Sequence, residues 1–268
     1  MLERLDAQGC TMVDTTCGSV LNVWKNVRRY AADGFTSIIH GKVHHEETRA
    51  TASQAVQTAL GRYLVVLNRD EASLACDYIG GRLKRSTFDS RFDGAYSSGF
   101  DPDRDLVRVG LANQTTMLMS ESMEIAEMLK AEMAIRYGAE ALSSHFRAFD
   151  TICSATQDRQ DAVLELLNQN LLDLMLVVGG YNSSNTANLA RICAERVPTY
   201  HVADDAALTS PDELRHKPTG SKSEVTSIGW LPLSDPVRIG LTAGASTPDS
   251  QVGAVIMKLA AFTSARDS

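Results

Sequence analysis

Five short stretches of this sequence place reactive side chains directly after apolar runs. They are Cys17 in "VDTTC", His44 with Glu46 in "HGKVHHEE", Thr115 and Thr116 in "ANQTTML", Ser183 to Asn185 in "VVGGYNSSN", and Ser246 in "TAGASTPDS". His44 and Glu46 lie two apart, so extended backbone puts them on one face. Such a pair can hold an anionic oxygen and deliver a proton. Metal binding by this histidine-rich stretch is a further option, although its spacing is not the HExxH helix pattern. In the fourth stretch, Gly179 and Gly180 permit close backbone approach, and the residues after them open a helix. Free N–H groups and the positive dipole end there favour phosphate. Ser246 repeats that arrangement ahead of Pro248, so two such ends could hold a diphosphate without any lysine. Thr115 can orient a substrate hydroxyl or relay a proton. Cys17 stands at a strand end and a helix N-terminus, where a thiolate is favoured. Cys153 in "TICSAT" precedes another helix start. Two soft ligands from distant turns could hold an iron–sulfur cluster, though no CxxC spacing supports it.

Each group also has a plain structural reading. Ser184 or Asn185 can act only as an N-cap, Ser246 or Thr247 can cap the last helix, and Thr116 the helix after its strand. Glu46 and Glu47 can simply complement a helix dipole. For His40 and His45 the structural role is the one expected. Cys10, Cys76 and Cys193 read as small buried residues.

The elements that must position these groups recur as a unit: apolar run, polar turn, amphipathic helix. "TMVD" leads through "TTCGS" to a helix in which Val20, Val23, Trp24, Val27 and Tyr30 keep helical spacing, with Gly34 as its stop. "TSIIH", "DLVRVGLAN", "LMLVVGG" and "VRIGLTA" each lead to a turn and a further helix. These strands are short and aliphatic, as strands buried on both faces should be. The alternation predicts an α/β fold of mostly parallel sheets flanked by helices. In such folds, ligands bind beyond the carboxyl ends of the strands. All five reactive turns are predicted at those ends, which points to one shared site. Residues 83–104, polar and turn-rich, read as a long surface insertion. A boundary near 145–152 gives a first unit over residues 1–150 and a second over 151–268.

The composition narrows the partners. The chain has 268 residues, 44% of them hydrophobic, and a net charge of −7. No basic block marks a nucleic-acid surface. No apolar run approaches the roughly 18 residues of a membrane span. Five widely spaced cysteines do not form a disulfide framework and fit a reducing compartment.

Six motifs, "VDTTC", "IHGKVHHEETRATAS", "ANQTTML", "TICSATQDRQDA", "VVGGYNSSNT" and "GLTAGASTPD", occur in the order seen in the IspH/LytB family of 4-hydroxy-3-methylbut-2-enyl diphosphate reductases. The likeness runs from about residue 10 to residue 260, and the segment around 83–104 resembles the longer plant and cyanobacterial type. The resemblance implies three pseudo-equivalent α/β lobes around a central 4Fe-4S cluster held by one cysteine per lobe, with Cys17 and Cys153 as two of the ligands. It implies that His44, Ser183, Ser184, Asn185 and Ser246 hold the substrate diphosphate. Glu46 would give the proton that lets the allylic hydroxyl leave, Thr115 would sit beside that hydroxyl, and Thr156 would line the pocket. The implied reaction is reductive dehydroxylation to isopentenyl and dimethylallyl diphosphates, in the non-mevalonate isoprenoid pathway. Electrons would come from a ferredoxin- or flavodoxin-like donor. The setting would be the cytoplasm of a bacterium or the stroma of a plastid.

Members of that family carry a lobe ahead of the "VDTTC" strand, with the first cysteine ligand in a Gly-Phe-Cys turn. On this resemblance the chain holds the middle and C-terminal lobes and lacks the N-terminal one and its cysteine. Cys10 is no substitute, because it precedes its strand where a ligand should follow it. The expectation is therefore a reductase impaired by truncation, or a non-catalytic diphosphate-binding remnant without a stable cluster. A hydrolase using Ser246 or Cys17 with His44 ranks last, since no Gly-x-Ser-x-Gly elbow occurs.

Overall fold

The computed structural model describes residues 16–149, 154–169, 171–232 and 236–264. Cys10, the "TMVD" segment and Cys153 lie outside the described residues. The chain divides into two compact units: one runs through Thr115 and resumes at Ser120, while Thr116–Met119 and the residues from Ile152 onward form the other.

In the first unit, strands β1 (Thr36–His40), β2 (Arg62–Val66), β3 (Val109–Asn113) and β4 (Phe146–Ala148) form a parallel sheet in the order β2-β1-β3-β4. Every residue of β1 and β3 is buried, as the aliphatic runs predicted. Helix α1 (Gly18–Ala32) packs Val23, Val27 and Tyr30 with Ala55 of helix α2 (Glu46–Ala55) and with Ala112. Tyr30 satisfies its buried hydroxyl by donating to the Leu111 carbonyl at 2.9 Å. A second cluster joins helices α3 (Arg69–Ile79) and α6 (Met119–Tyr137) to the sheet through Ala72, Ile79, Ile125, Leu129 and Met133.

The segment 83–104 differs from its reading as a surface insertion. It contains helices α4 (Arg85–Arg91) and α5 (Pro102–Asp105), and its Phe88, Phe92 and Phe100 enter the main core of this unit. Phe88 and Phe92 are fully buried, their ring centroids 4.6 Å apart. The charged residues around them form ion pairs on the outside, where Arg85 meets Asp89 and Asp101. Average polarity hid three aromatic side chains that belong to the core. A short helix, α7 (Leu142–His145), leads into β4.

The second unit contains helix α8 (Ser154–Gln169), strand β5 (Leu174–Val178), helix α9 (Ser184–Ala194), strand β6 (Thr199–Val202), a hairpin β7 (Glu213–His216) and β8 (Val225–Ile228), strand β9 (Ile239–Ala243) and helix α10 (Asp249–Ser264). Its main sheet is parallel, in the order β6-β5-β9. Along β5, Leu174, Leu176 and Val178 face one core with Val202 and Val255. Met175 and Val177 face the other, with Val163, Leu189 and Cys193. This period-two split explains why the run is apolar throughout: helices cover both faces.

No helix among the described residues is long and apolar enough to cross a membrane.

Candidate functional site

Parallel register sets the strand ends level. His40 at the end of β1 lies opposite Val66 and Asn113, so the turns after β1 and β3 leave the sheet side by side. The β1 turn runs from Gly41 to His45 and enters α2. His45 is its N-cap: Nδ1 accepts from the Glu47 N–H at 3.3 Å. A neutral imidazole that accepts at Nδ1 carries its proton on Nε2 and can donate there.

The two glutamates that open α2 part company. Glu46 is 87% exposed in its side chain and meets Arg49 at 3.2 Å. Glu47 turns toward β3, where its Oε1 accepts from the Thr115 N–H at 2.5 Å. Extended backbone would align His44 with Glu46 on one face. In the structure the helix begins at Glu46, so the relevant spacing is that of a helix start, and it is Glu47 that reaches Thr115. His44 is exposed and Thr115 is buried. The sequence pattern did not single out His45 and Glu47; the available signal was the N-cap position that ends the extended stretch. His40, expected to be structural, is buried with its Nδ1 2.8 Å from Ser122 Oγ.

Cys17 is the N-cap residue of α1, exposed, and its side chain makes no capping bond. That position suits a thiolate ligand. Cys76 and Cys193 are the opposite case: burial pushes both thiols up to about 12, consistent with small buried residues. Among the described residues, no three His, Cys, Asp or Glu side chains are gathered to hold a metal.

In the second unit, Val178 lies opposite Val202 and Ala243, which levels the turns after β5, β6 and β9. Ser183, not Ser184 or Asn185, is the N-cap of α9; its Oγ accepts from the Thr186 N–H at 3.2 Å. Its hydroxyl hydrogen can still donate outward. Asn185 is 2% exposed, and both its Oδ1 and Nδ2 lack a partner. A buried carboxamide without partners costs about 1–3 kcal/mol or more, and a water or a ligand's polar atoms would relieve that cost. Ser184 is buried and Ser246 exposed.

The close approach of these turns depends on two glycines. Gly179 has φ +145°, and a Cβ there would stand 2.5 Å from Thr247 Oγ1. A Cβ at Gly244 would overlap Thr186 Oγ1. Thr247 fastens the two turns by donating to the Val178 carbonyl at 3.1 Å. Beneath them, His201 Nε2 donates to the Gly179 carbonyl at 2.9 Å. Burial holds the His201 imidazole below its ordinary pKa, so it is a neutral support. Thr156 is buried in the first turn of α8.

Parallel sheets, helices on both faces and polar side chains gathered at the strand carboxyl ends define an α/β ligand-binding fold, with an anion-type turn at the start of α9. The LytB protein profile matches residues 1–260, and the chain belongs to the LytB family, as its six motifs predicted. It is 48% identical over 264 residues to the 4-hydroxy-3-methylbut-2-enyl diphosphate reductase of Thermosynechococcus vestitus, covering 98% of this chain and 64% of that protein. The reductase of the same name from Gloeobacter violaceus is 49% identical over 259 residues, covering 96% of this chain and 60% of that protein. The chain therefore spans less than two-thirds of the length of these relatives.

Two solved structures share the fold. One is (E)-4-hydroxy-3-methyl-but-2-enyl diphosphate reductase, the terminal enzyme of the non-mevalonate pathway, with TM-score 0.50 and 24% identity over 96% of this chain and 70% of that one. The other is the E-1-hydroxy-2-methyl-but-2-enyl-4-diphosphate reductase of Plasmodium falciparum, with TM-score 0.56 and 21% identity over 91% of this chain and 58% of that one.

Proposed function

We propose that the whole protein reduces (E)-4-hydroxy-3-methylbut-2-enyl diphosphate to isopentenyl and dimethylallyl diphosphates. The allylic C–O bond breaks, the hydroxyl leaves as water, and two electrons and two protons are taken up. The names of relatives about half identical to nearly the whole chain support this reading. The structural observation that carries it is the buried, unpartnered Asn185 carboxamide at a helix N-terminus, which suits a diphosphate.

Asn185, Ser183, Ser184 and Ser246 hold the diphosphate with neutral donors, and Thr156 lines the same region. His45 adds its Nε2–H as a donor to an anionic oxygen; it takes the role that the spacing had assigned to His44. The acid is Glu47 in place of Glu46. Its Oε1 is occupied by the Thr115 N–H, which leaves Oε2 to deliver a proton to the departing hydroxyl. Thr115 orients that hydroxyl. Cys17 and Cys153 are this chain's thiolate ligands for a 4Fe-4S cluster, which when bound supplies the electrons. A ferredoxin- or flavodoxin-like protein is the donor, in a bacterial cytoplasm or a plastid stroma.

The test is anaerobic iron–sulfide reconstitution of the whole protein, followed by assay with the substrate and a reduced donor. Formation of a brown chromophore and of both C5 diphosphates is expected. Binding of the diphosphate without chromophore or products would replace this reading with that of a non-catalytic binding protein.

A further inference from the structure

We infer that Gln114 is a positioning residue whose carboxamide fixes the β1 turn, and with it His45 and Glu47, against Thr115. The inference rests on the proposed reaction, because that reaction gives Glu47 its task. Gln114 is fully buried and immediately precedes Thr115. Its N–H donates to the His40 carbonyl at 2.8 Å, extending the β1–β3 pairing by one residue. Its Oε1 accepts twice: from the Lys42 N–H at 3.1 Å and from Thr48 Oγ1 at 3.1 Å.

Lys42 and Thr48 bracket the turn, so one carbonyl oxygen pins both ends of the segment that carries His45 and Glu47. The space for this is made by Gly41, where a Cβ would stand 2.6 Å from Thr48 Oγ1 and 3.0 Å from Gln114 Cβ. The Glu47–Thr115 hydrogen bond then closes a ring of contacts through Gln114, Lys42 and Thr48. Loss of the acceptor would take the partner of the buried Thr48 hydroxyl, release the Lys42 end of the segment and let the turn drift. A drift of about 1 Å at a reacting group can cost about 100-fold in rate.

The experiment compares wild type, Gln114→Met, Gln114→Glu and Thr48→Val in the whole, reconstituted protein. It reads kcat, KM, and binding of inorganic pyrophosphate by calorimetry. For Gln114→Met, kcat should fall by about 10-fold or more while KM and pyrophosphate affinity stay within about 3-fold, because His45 is one diphosphate donor among several and the others lie on other turns. Gln114→Glu keeps an acceptor oxygen and should recover most of the loss. Thr48→Val removes one of the two bonds and should lower kcat less than Gln114→Met.

An unchanged kcat in Gln114→Met, or a loss that appears only in KM, overturns the inference. So does failure of Gln114→Glu to recover activity. If Gln114→Met does not fold, Thr48→Val decides: a kcat loss at constant KM supports the inference, and an unchanged kcat overturns it. Wild-type protein that binds pyrophosphate but reduces nothing overturns the reaction reading as well.

Discussion

Glu47 and Thr115, 68 residues apart, are joined by a hydrogen bond from the Thr115 N–H to Glu47 Oε1 at 2.5 Å. The bond ties the first turn of α2 to the end of β3. It singles out one of two adjacent carboxylates, because Glu46 points to solvent and Arg49.

Asn185 gives a prediction in which stability and affinity move apart. Its carboxamide is buried without partners, so the unliganded protein bears the cost. Asn185→Leu should keep or raise the thermal midpoint while raising KM for the diphosphate substrate by about 10-fold, equal to about 1.4 kcal/mol. Thermal melts and steady-state kinetics check it. A fall in midpoint with unchanged KM would mean that the amide serves packing alone.

Thr186 and Gly244 should be energetically coupled. A Cβ at Gly244 would overlap Thr186 Oγ1, so Gly244→Ala should destabilise the protein by about 1–3 kcal/mol. Thr186→Ala removes the obstructing oxygen, which itself has no partner, and should recover part of that loss in the double variant. Denaturant unfolding of the four proteins of the cycle measures the coupling. Strict additivity would contradict the close approach of the two turns.

His201 supplies a pH dependence. Burial lowers its folded pKa below the ordinary 6.5, with the Gly179 carbonyl opposing that shift. The unfolded chain then binds the proton first. Stability is therefore complete above the ordinary histidine pKa and declines as pH falls from there toward the depressed folded value. His216 is lowered by burial in the same direction, so it shares the effect. His201→Gln, which can still donate to the Gly179 carbonyl, should reduce the slope of unfolding free energy between neutral and mildly acid pH. An unchanged slope would contradict a neutral, supporting His201.

Much of this was legible in the sequence. The aliphatic runs that became β1, β3 and β5 carry their own evidence, because double-sided burial leaves no polar position to misread. The turn after Gly179 and the helix start behind it were also legible, since glycines followed by small hydroxyl and amide residues mark a turn into an N-cap. Two features were not. Segment 83–104 gains its core through Phe88, Phe92 and Phe100 scattered among charged residues that pair with one another outside, and local polarity outweighs that signal. The choice between Glu46 and Glu47 depends on where α2 begins, and a shift of one residue there rotates the first turn by about 100°. Likewise Ser183, and not its neighbours, caps α9 because of where that helix starts.

The carboxyl group held at Thr115 is the proposed proton donor. The most direct test of that role is kcat for Glu47→Gln and Glu46→Gln in the whole, reconstituted protein. Glu47→Gln keeps an oxygen for the Thr115 N–H but has no proton to give, so kcat should fall by about 100-fold or more with KM little changed. Glu46→Gln should cost less than about 10-fold, the scale of a surface ion pair lost near a site. Near-normal turnover in Glu47→Gln, with the larger loss in Glu46→Gln, would contradict the account.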